Sequence, residues 1–381
     1  MKEKGEPYEK VLEELKKAST RDFHFKDGRI LGSMCSEPNP IAREAHAMFI
    51  EANLGNPGLY PGTVELENEL IGMISELLHG KGISGLTVGG GTEANITALW
   101  IAKKVSGKKE VIYPKSAHFS FLKATDLLGL SGIEVGLTDE FQMDISEVEN
   151  NLSDKTAAVV GIAGTTEFGV IDPIEELSGL CGDTFLHVDA AFGGFVIPFL
   201  KELGYDIPKF DFELENVDFI STDPHKIGLA TIPSGVLLMR HIDYLEKIAV
   251  SSPYLTSSRQ ASLSGTRCSA GVVSAWAVMK HLGREGYTNI IKQCMENTMY
   301  LVKKVGEVGL ELPIKPKMNI VCIKMKDPEK VLLELNILGW KPSITRHPKC
   351  LRIVVMPHVT KKIVDEFVFD MENVCRNLNE I

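Results

Sequence analysis

No stretch of the 381-residue chain stays apolar for eighteen residues, which leaves nothing long enough to cross a bilayer as a helix. Basic residues are also in deficit. Lys and Arg total 41 against 51 Asp and Glu, a formal net charge of −10, which argues against a nucleic-acid partner, since phosphates select a basic face. Seven cysteines (35, 181, 268, 294, 322, 350, 375) are scattered, odd in number and without a C-x-x-C pair, so neither a disulfide framework nor a zinc site is expected. Two phosphate-binding signatures, G-x-x-x-x-G-K-[ST] and G-x-G-x-x-G, are missing, as are repeats and low-complexity runs. What remains is globular: 44% apolar and 24% charged residues fit one large domain plus a smaller one. The opening MKEKGEPYEKVLEELKK reads as a charged amphipathic helix rather than a signal peptide, so a cytoplasmic enzyme is expected.

Short β-type runs alternate with helical patterns through the middle of the chain, which implies an α/β fold with a parallel sheet. Strands are expected at Gly85–Val88, Glu110–Tyr113, Ile133–Leu137, Ala157–Ile162, Thr184–Val188, Val217–Ser221 and Gly235–Met239. The expected organisation is an N-terminal segment (1–50), a large domain (51–270), a connecting helix (271–312) and a small C-terminal α/β domain (313–381).

Ligands of such sheets bind beyond the carboxyl ends of the strands. Four unusual stretches fall there. TVGGGTEANITAL (87–99) sets three glycines before a helix, either a plain turn or a phosphate cradle. In YPKSAHFSF (113–121), His118 follows a strand, as a core histidine or a functional one. FLHVDAAFGG (185–194) ends an apolar strand on Asp189, a cost unless something pairs with it. STDPHKIGLA (221–230) places Lys226 after a turn-forming Asp-Pro, a surface lysine or an amine nucleophile with a lowered pKa. Each alone is ambiguous. Together, a phosphate cradle, a ring cover, a carboxylate for a ring nitrogen and a Schiff-base amine are the parts that pyridoxal 5'-phosphate requires.

These stretches, with GSMCSEPNP (32–40), NLGNPGLYPGT (53–63), GIAGTTEFGVID (161–172), PYLTSSRQASLSGTR (253–267) and LRIVVMPH (351–358), make nearly the whole chain resemble the fold type I, group II amino-acid decarboxylases. The archaeal L-tyrosine/L-aspartate decarboxylase family is the most similar. The resemblance implies a large domain with a mostly parallel seven-stranded sheet flanked by helices. It makes Lys226 the Schiff-base lysine, His118 the ring stacked on the cofactor and Asp189 the partner of the pyridine nitrogen. Ala191 would pack on the other ring face, Gly91, Thr92 and His225 would hold the phosphate, and Thr166 would lie at the ring edge. Ser264 and Gly265 would reach the partner subunit's phosphate, implying a homodimer with interfacial sites. Arg352 would orient the substrate α-carboxylate. Gly89 departs from the pattern, since the family often carries serine there.

The implied reaction is loss of CO2 from L-aspartate, L-tyrosine or both, with L-glutamate as an alternative. The family's products feed coenzyme A through β-alanine and methanofuran through tyramine. Tyr254 or His118 is the nominated proton donor, Arg259, Arg267 or Arg346 a cation for a side-chain carboxylate, and GLYPG (58–62) a slot for tyrosine. A cysteine desulfurase on the same fold would want a cysteine in a glycine-rich loop, and a non-catalytic relative would lack Lys226, Asp189 or His118.

Overall fold

Seven apolar runs become one sheet in a computed structural model that describes residues 1–381. The strands are β1 Ser84–Val88, β2 Glu110–Pro114, β3 Ser131–Val135, β4 Thr156–Ile162, β5 Phe185–Asp189, β6 Val217–Thr222 and β7 Gly235–Met239. They lie in the order β1-β7-β6-β5-β4-β2-β3, with β7 antiparallel to both neighbours and every other pair parallel. Every residue of β4, β5 and β7 is buried. Strands covered on both faces carry unbroken apolar runs instead of alternation, and that is the pattern in the sequence. The edge strand β3 starts two residues before its expected span, because pairing of Glu110 with Ser131 sets its register.

The position of β1 decides where a ligand can bind. It lies at one edge, and β2 lies beyond β4, so the helix Gly91–Ser106 joining them crosses over β7, β6, β5 and β4. Its first residue comes to rest against Ala191 and Asp223, just past the carboxyl ends of β5 and β6.

The expected connecting helix is two helices. Within Ser269–Glu307, Gly283 takes φ 55° and ψ −170°, a left-handed conformation that suits glycine and breaks the helical ladder. Beyond it, β8 Ile320–Lys324, β9 Ser343–Ile344 and β10 Cys350–Val354 form an antiparallel sheet with β10 central. Helices Pro328–Ile337 and Lys361–Asn377 accompany it. Its core holds Trp340, fully buried, edge-on to Phe367 and donating from Nε1 to Asp370 (2.7 Å). Residues 31 and 32 hydrogen-bond to Lys341 O, and Val354 N donates to Leu31 O, so the N-terminal region is tied to this sheet. No helix is long and apolar enough to cross a membrane.

Candidate active site

Beyond the ends of β4, β5 and β6 lies a cavity of about 600 Å³. Gly91, Thr92, His118, Thr166, Asp189, Ala191, His225, Lys226 and Ser264 all line it, and no cysteine does. Gly265 and Arg352 do not.

One end is built to receive an anion. The helix Gly91–Ser106 starts without a side-chain cap, which leaves its first N–H groups free and its positive dipole end uncovered. Glycine is needed here for closeness: a Cβ on Gly90 would stand 3.1 Å from His225 Cε1, and one on Gly235 would stand 2.5 Å from Gly90 Cα. Glu93 also lines the cavity, its carboxylate accepting from Gly89 N (2.7 Å) and Ser264 Oγ (3.0 Å). Ser264 lines the cavity of its own chain. Gly265 instead passes its carbonyl against Gly55.

Lys226 holds its ammonium 3.1 Å from Asp223 Oδ2. Burial is the largest influence on the amine and works to lower its pKa, but the carboxylates of Asp223 and Asp189 outweigh it and the net shift is upward. This corrects the expectation of a lowered pKa. Asp223, read from the sequence as a turn residue, is a buried counter-ion whose Oδ1 has no partner.

Asp189 closes β5 and is 5% exposed. Its Oδ1 accepts from Ala191 N (3.0 Å) and Ser221 Oγ (3.2 Å), and its Oδ2 from Asn95 Nδ2 (2.9 Å). Below it, His187 is fully buried, with burial pushing its pKa down to about 4 against the pull of Asp189. Asn95, Ser221 and His187 went unnoticed in the sequence. The available signal was period: His187 and Asp189 share one strand face, and polar residues there have no place in a purely apolar core.

His118 lines the cavity with Nδ1 accepting from Ser120 N (3.3 Å), and burial, the main cause, lowers its pKa. It is thus a neutral ring with its proton on Nε2.

Of the four nominated arginines, three are already paired. Arg259 meets Glu246, Arg267 meets Glu67 beneath Thr87, and Arg346 meets Glu167. Arg352 is different. It lies on the central strand β10, 5% exposed, with Nη1 donating to Gly32 O (2.9 Å) and Ser343 Oγ (3.0 Å) while Nε and Nη2 have no partner. Gly32 is two residues from Met34, which lines the cavity. Tyr254 is 85% exposed and GLYPG binds Thr256, and neither reaches the cavity of its own chain.

Residues 41–326 match the pyridoxal-dependent decarboxylase conserved domain. The chain belongs to the pyridoxal-dependent decarboxylase family. A probable L-tyrosine/L-aspartate decarboxylase of Methanothermobacter thermautotrophicus is 45% identical over 356 residues, covering 92% of this chain and 98% of that one. An L-aspartate/L-glutamate decarboxylase of Pyrococcus horikoshii is 45% identical over 377 residues, covering 97% and 98%. Among solved structures, a Burkholderia pseudomallei sphingosine-1-phosphate lyase superposes with TM-score 0.90 at 27% identity, covering 99% of this chain and 92% of that one. A Lactobacillus brevis glutamate decarboxylase superposes with TM-score 0.89 at 21% identity, covering 100% and 95%, which speaks to the shared fold alone. The fold is that of the fold type I enzymes, and the family's cofactor, pyridoxal phosphate, suits the residues present. An uncapped helix start, a buried carboxylate with only neutral donors, and a lysine converge on one cavity.

Proposed function

We propose that this amino-acid decarboxylase acts on L-aspartate foremost, giving β-alanine and CO2, and on L-tyrosine as a second substrate, giving tyramine. Both archaeal relatives are named for activity on aspartate, and this supports its place. The observation that carries the reading is the convergence of Lys226, Asp189 and His118 on one cavity at the strand ends.

When bound, pyridoxal phosphate supplies an electron sink for the pair left as the bond from Cα to the carboxylate breaks. Around it each side chain has a separate task. Gly91 and Thr92 offer backbone N–H groups to the phosphate, with His225 beside them. Asp189 presents a carboxylate to the ring nitrogen, Ala191 and His118 flank the ring, and Thr166 lies at its edge. Lys226 provides the amine that holds the cofactor, and Asp223 keeps a proton at its Nζ until the amine must be neutral. Arg352 lies outside the cavity of the single chain, and in this reading its unpartnered Nε and Nη2 would take the substrate α-carboxylate in a bidentate pair once the site is closed around it. The division into 1–50, 51–270, 271–312 and 313–381 belongs to this reading, with the small domain bringing Arg352.

The active form is a homodimer that covers the cavity mouth. Phe119, Ile232 and Leu263 line the cavity yet are 52%, 62% and 48% exposed in the single chain, an apolar rim of the kind a second copy buries. Rates of CO2 release with L-aspartate, L-tyrosine and L-glutamate, compared as kcat/KM, test the substrate order. Glutamate ranking first would overturn it, and retention of cofactor linkage and turnover in Lys226→Ala would overturn the whole assignment.

A further inference from the structure

Asp189 is a nearly buried carboxylate with no basic side chain paired to it, the nearby Lys226 ammonium and His225 ring being turned to Asp223. All three of its donors are neutral. An uncompensated buried carboxylate is costly, and the arrangement keeps its charge available to whatever enters the cavity.

The hub of this arrangement is Asn95. Its Nδ2 donates to Asp189 Oδ2 (2.9 Å) and Ser120 Oγ (3.0 Å), while its Oδ1 accepts from His187 Nε2 (2.8 Å) and shares the single Ser221 hydroxyl proton (3.0 Å) with Asp189 Oδ1 (3.2 Å). The negative charge of Asp189 fixes which end of the amide faces it, since the reversed amide would set oxygen against carboxylate. With the amide so fixed, His187 must donate from Nε2, which fixes its tautomer and leaves Nδ1 bare, the atom found without a partner. Local structure explains the convergence. Asn95 is one turn into the helix that crosses the sheet, His187 and Asp189 share a face of β5, and Ser221 is the register partner of Asp189 on β6.

We infer that Asn95 is a positioning residue for the cofactor ring. It holds the Asp189 carboxylate aimed and fixes the tautomer of His187, so that the partner left to Asp189 in the cavity is the ring nitrogen. The inference rests on the pyridoxal phosphate reading, and its test separates the two. Pyridoxal phosphate and its carbocyclic analogue, with C–H in place of the ring nitrogen, are titrated into cofactor-stripped protein by fluorescence. For Asn95→Ala the dissociation constant for pyridoxal phosphate rises about 10-fold, the effect of losing one hydrogen bond to a charged group, while that for the analogue changes by less than about 2-fold. Equal losses for both ligands would show that Asn95 only supports the fold and would overturn the inference. Failure of the unsubstituted protein to bind pyridoxal phosphate would sink the parent reading instead. Ser221→Ala, which keeps the amide and removes one donor, gives the same comparison if Asn95→Ala does not fold. Its expected loss is about 3-fold and confined to pyridoxal phosphate, and an equal loss for the analogue again refutes the inference.

Discussion

Replacing Arg352 by methionine tests whether its unpaired donors serve a substrate. The guanidinium is 5% exposed, uses Nη1 on Gly32 O and Ser343 Oγ, and leaves Nε and Nη2 unmade. Burial, the main cause, lowers its pKa to about 10, so it stays charged at neutral pH. Two hydrogen bonds from a charged group to a carboxylate are together worth about 3–6 kcal/mol, which predicts a loss of about 10²–10⁴-fold in kcat/KM. The loss should fall on KM. The guanidinium grips the carboxylate alike in the ground state and in the transition state, where CO2 has not yet departed, so kcat should change little. Stability should move little, since the variant loses two hydrogen bonds but also removes a buried charge with two unmade donors. Steady-state kinetics beside a thermal melt decide the matter. A fall in kcat/KM of less than about tenfold, together with a clear loss of melting temperature, would show that Arg352 only ties β10 to Gly32 and would refute the reasoning.

Asp223→Asn removes the counter-ion of Lys226 while keeping its shape, so the pKa of the amine falls and cofactor linkage persists to lower pH, read from the visible absorbance across a pH series. An unchanged profile would exclude Asp223 as the group that holds that proton. Asp172 is buried and accepts from Met143 N and Ile162 N (both 2.8 Å), and Asn at that position offers one acceptor to two donors, costing about 2 kcal/mol in a urea melt. Burial raises the Asp172 pKa to about 7, above its value in the unfolded chain, so its protonated form favours folding at low pH and that contribution is lost as pH rises toward 7. The gap between wild type and Asp172→Asn should accordingly narrow from pH 5 to pH 8, and a widening gap would contradict the sign. Ile232→Asp places a charge on the exposed apolar rim and should turn a dimer into a monomer by light scattering, with helical content retained and turnover lost. A protein already monomeric before substitution would refute the dimer.

Local pattern revealed what is local. The buried strands β4, β5 and β7 were legible because a strand covered on both faces has to be apolar throughout, and Asp189 and Lys226 stood out as charges at the ends of such runs. Pairings made across the fold were not legible. Arg267 and Glu67 are 200 residues apart, Arg346 and Glu167 are 179 apart, and Asn95 and Asp189 are 94 apart, so only the topology could say which arginines were consumed and which amide held the carboxylate. Short elements escaped for a related reason. β9 spans only Ser343–Ile344, too few residues to show a period. Gly283 carries no sequence sign that separates a helix break from a tolerated glycine.

The helix Gly91–Ser106 offers backbone N–H groups from its first residues and a carboxamide from Asn95, four residues after Gly91 and so about 6 Å further along the axis. In the proposed reading one rigid rod would therefore bear on both the phosphate and, through Asp189, the far side of the ring. The spacing works as a gauge of ligand length. On that reading a cofactor analogue with one extra methylene between ring and phosphate would seat at either end but not at both, making chain length itself a criterion of admission, independent of charge or ring chemistry.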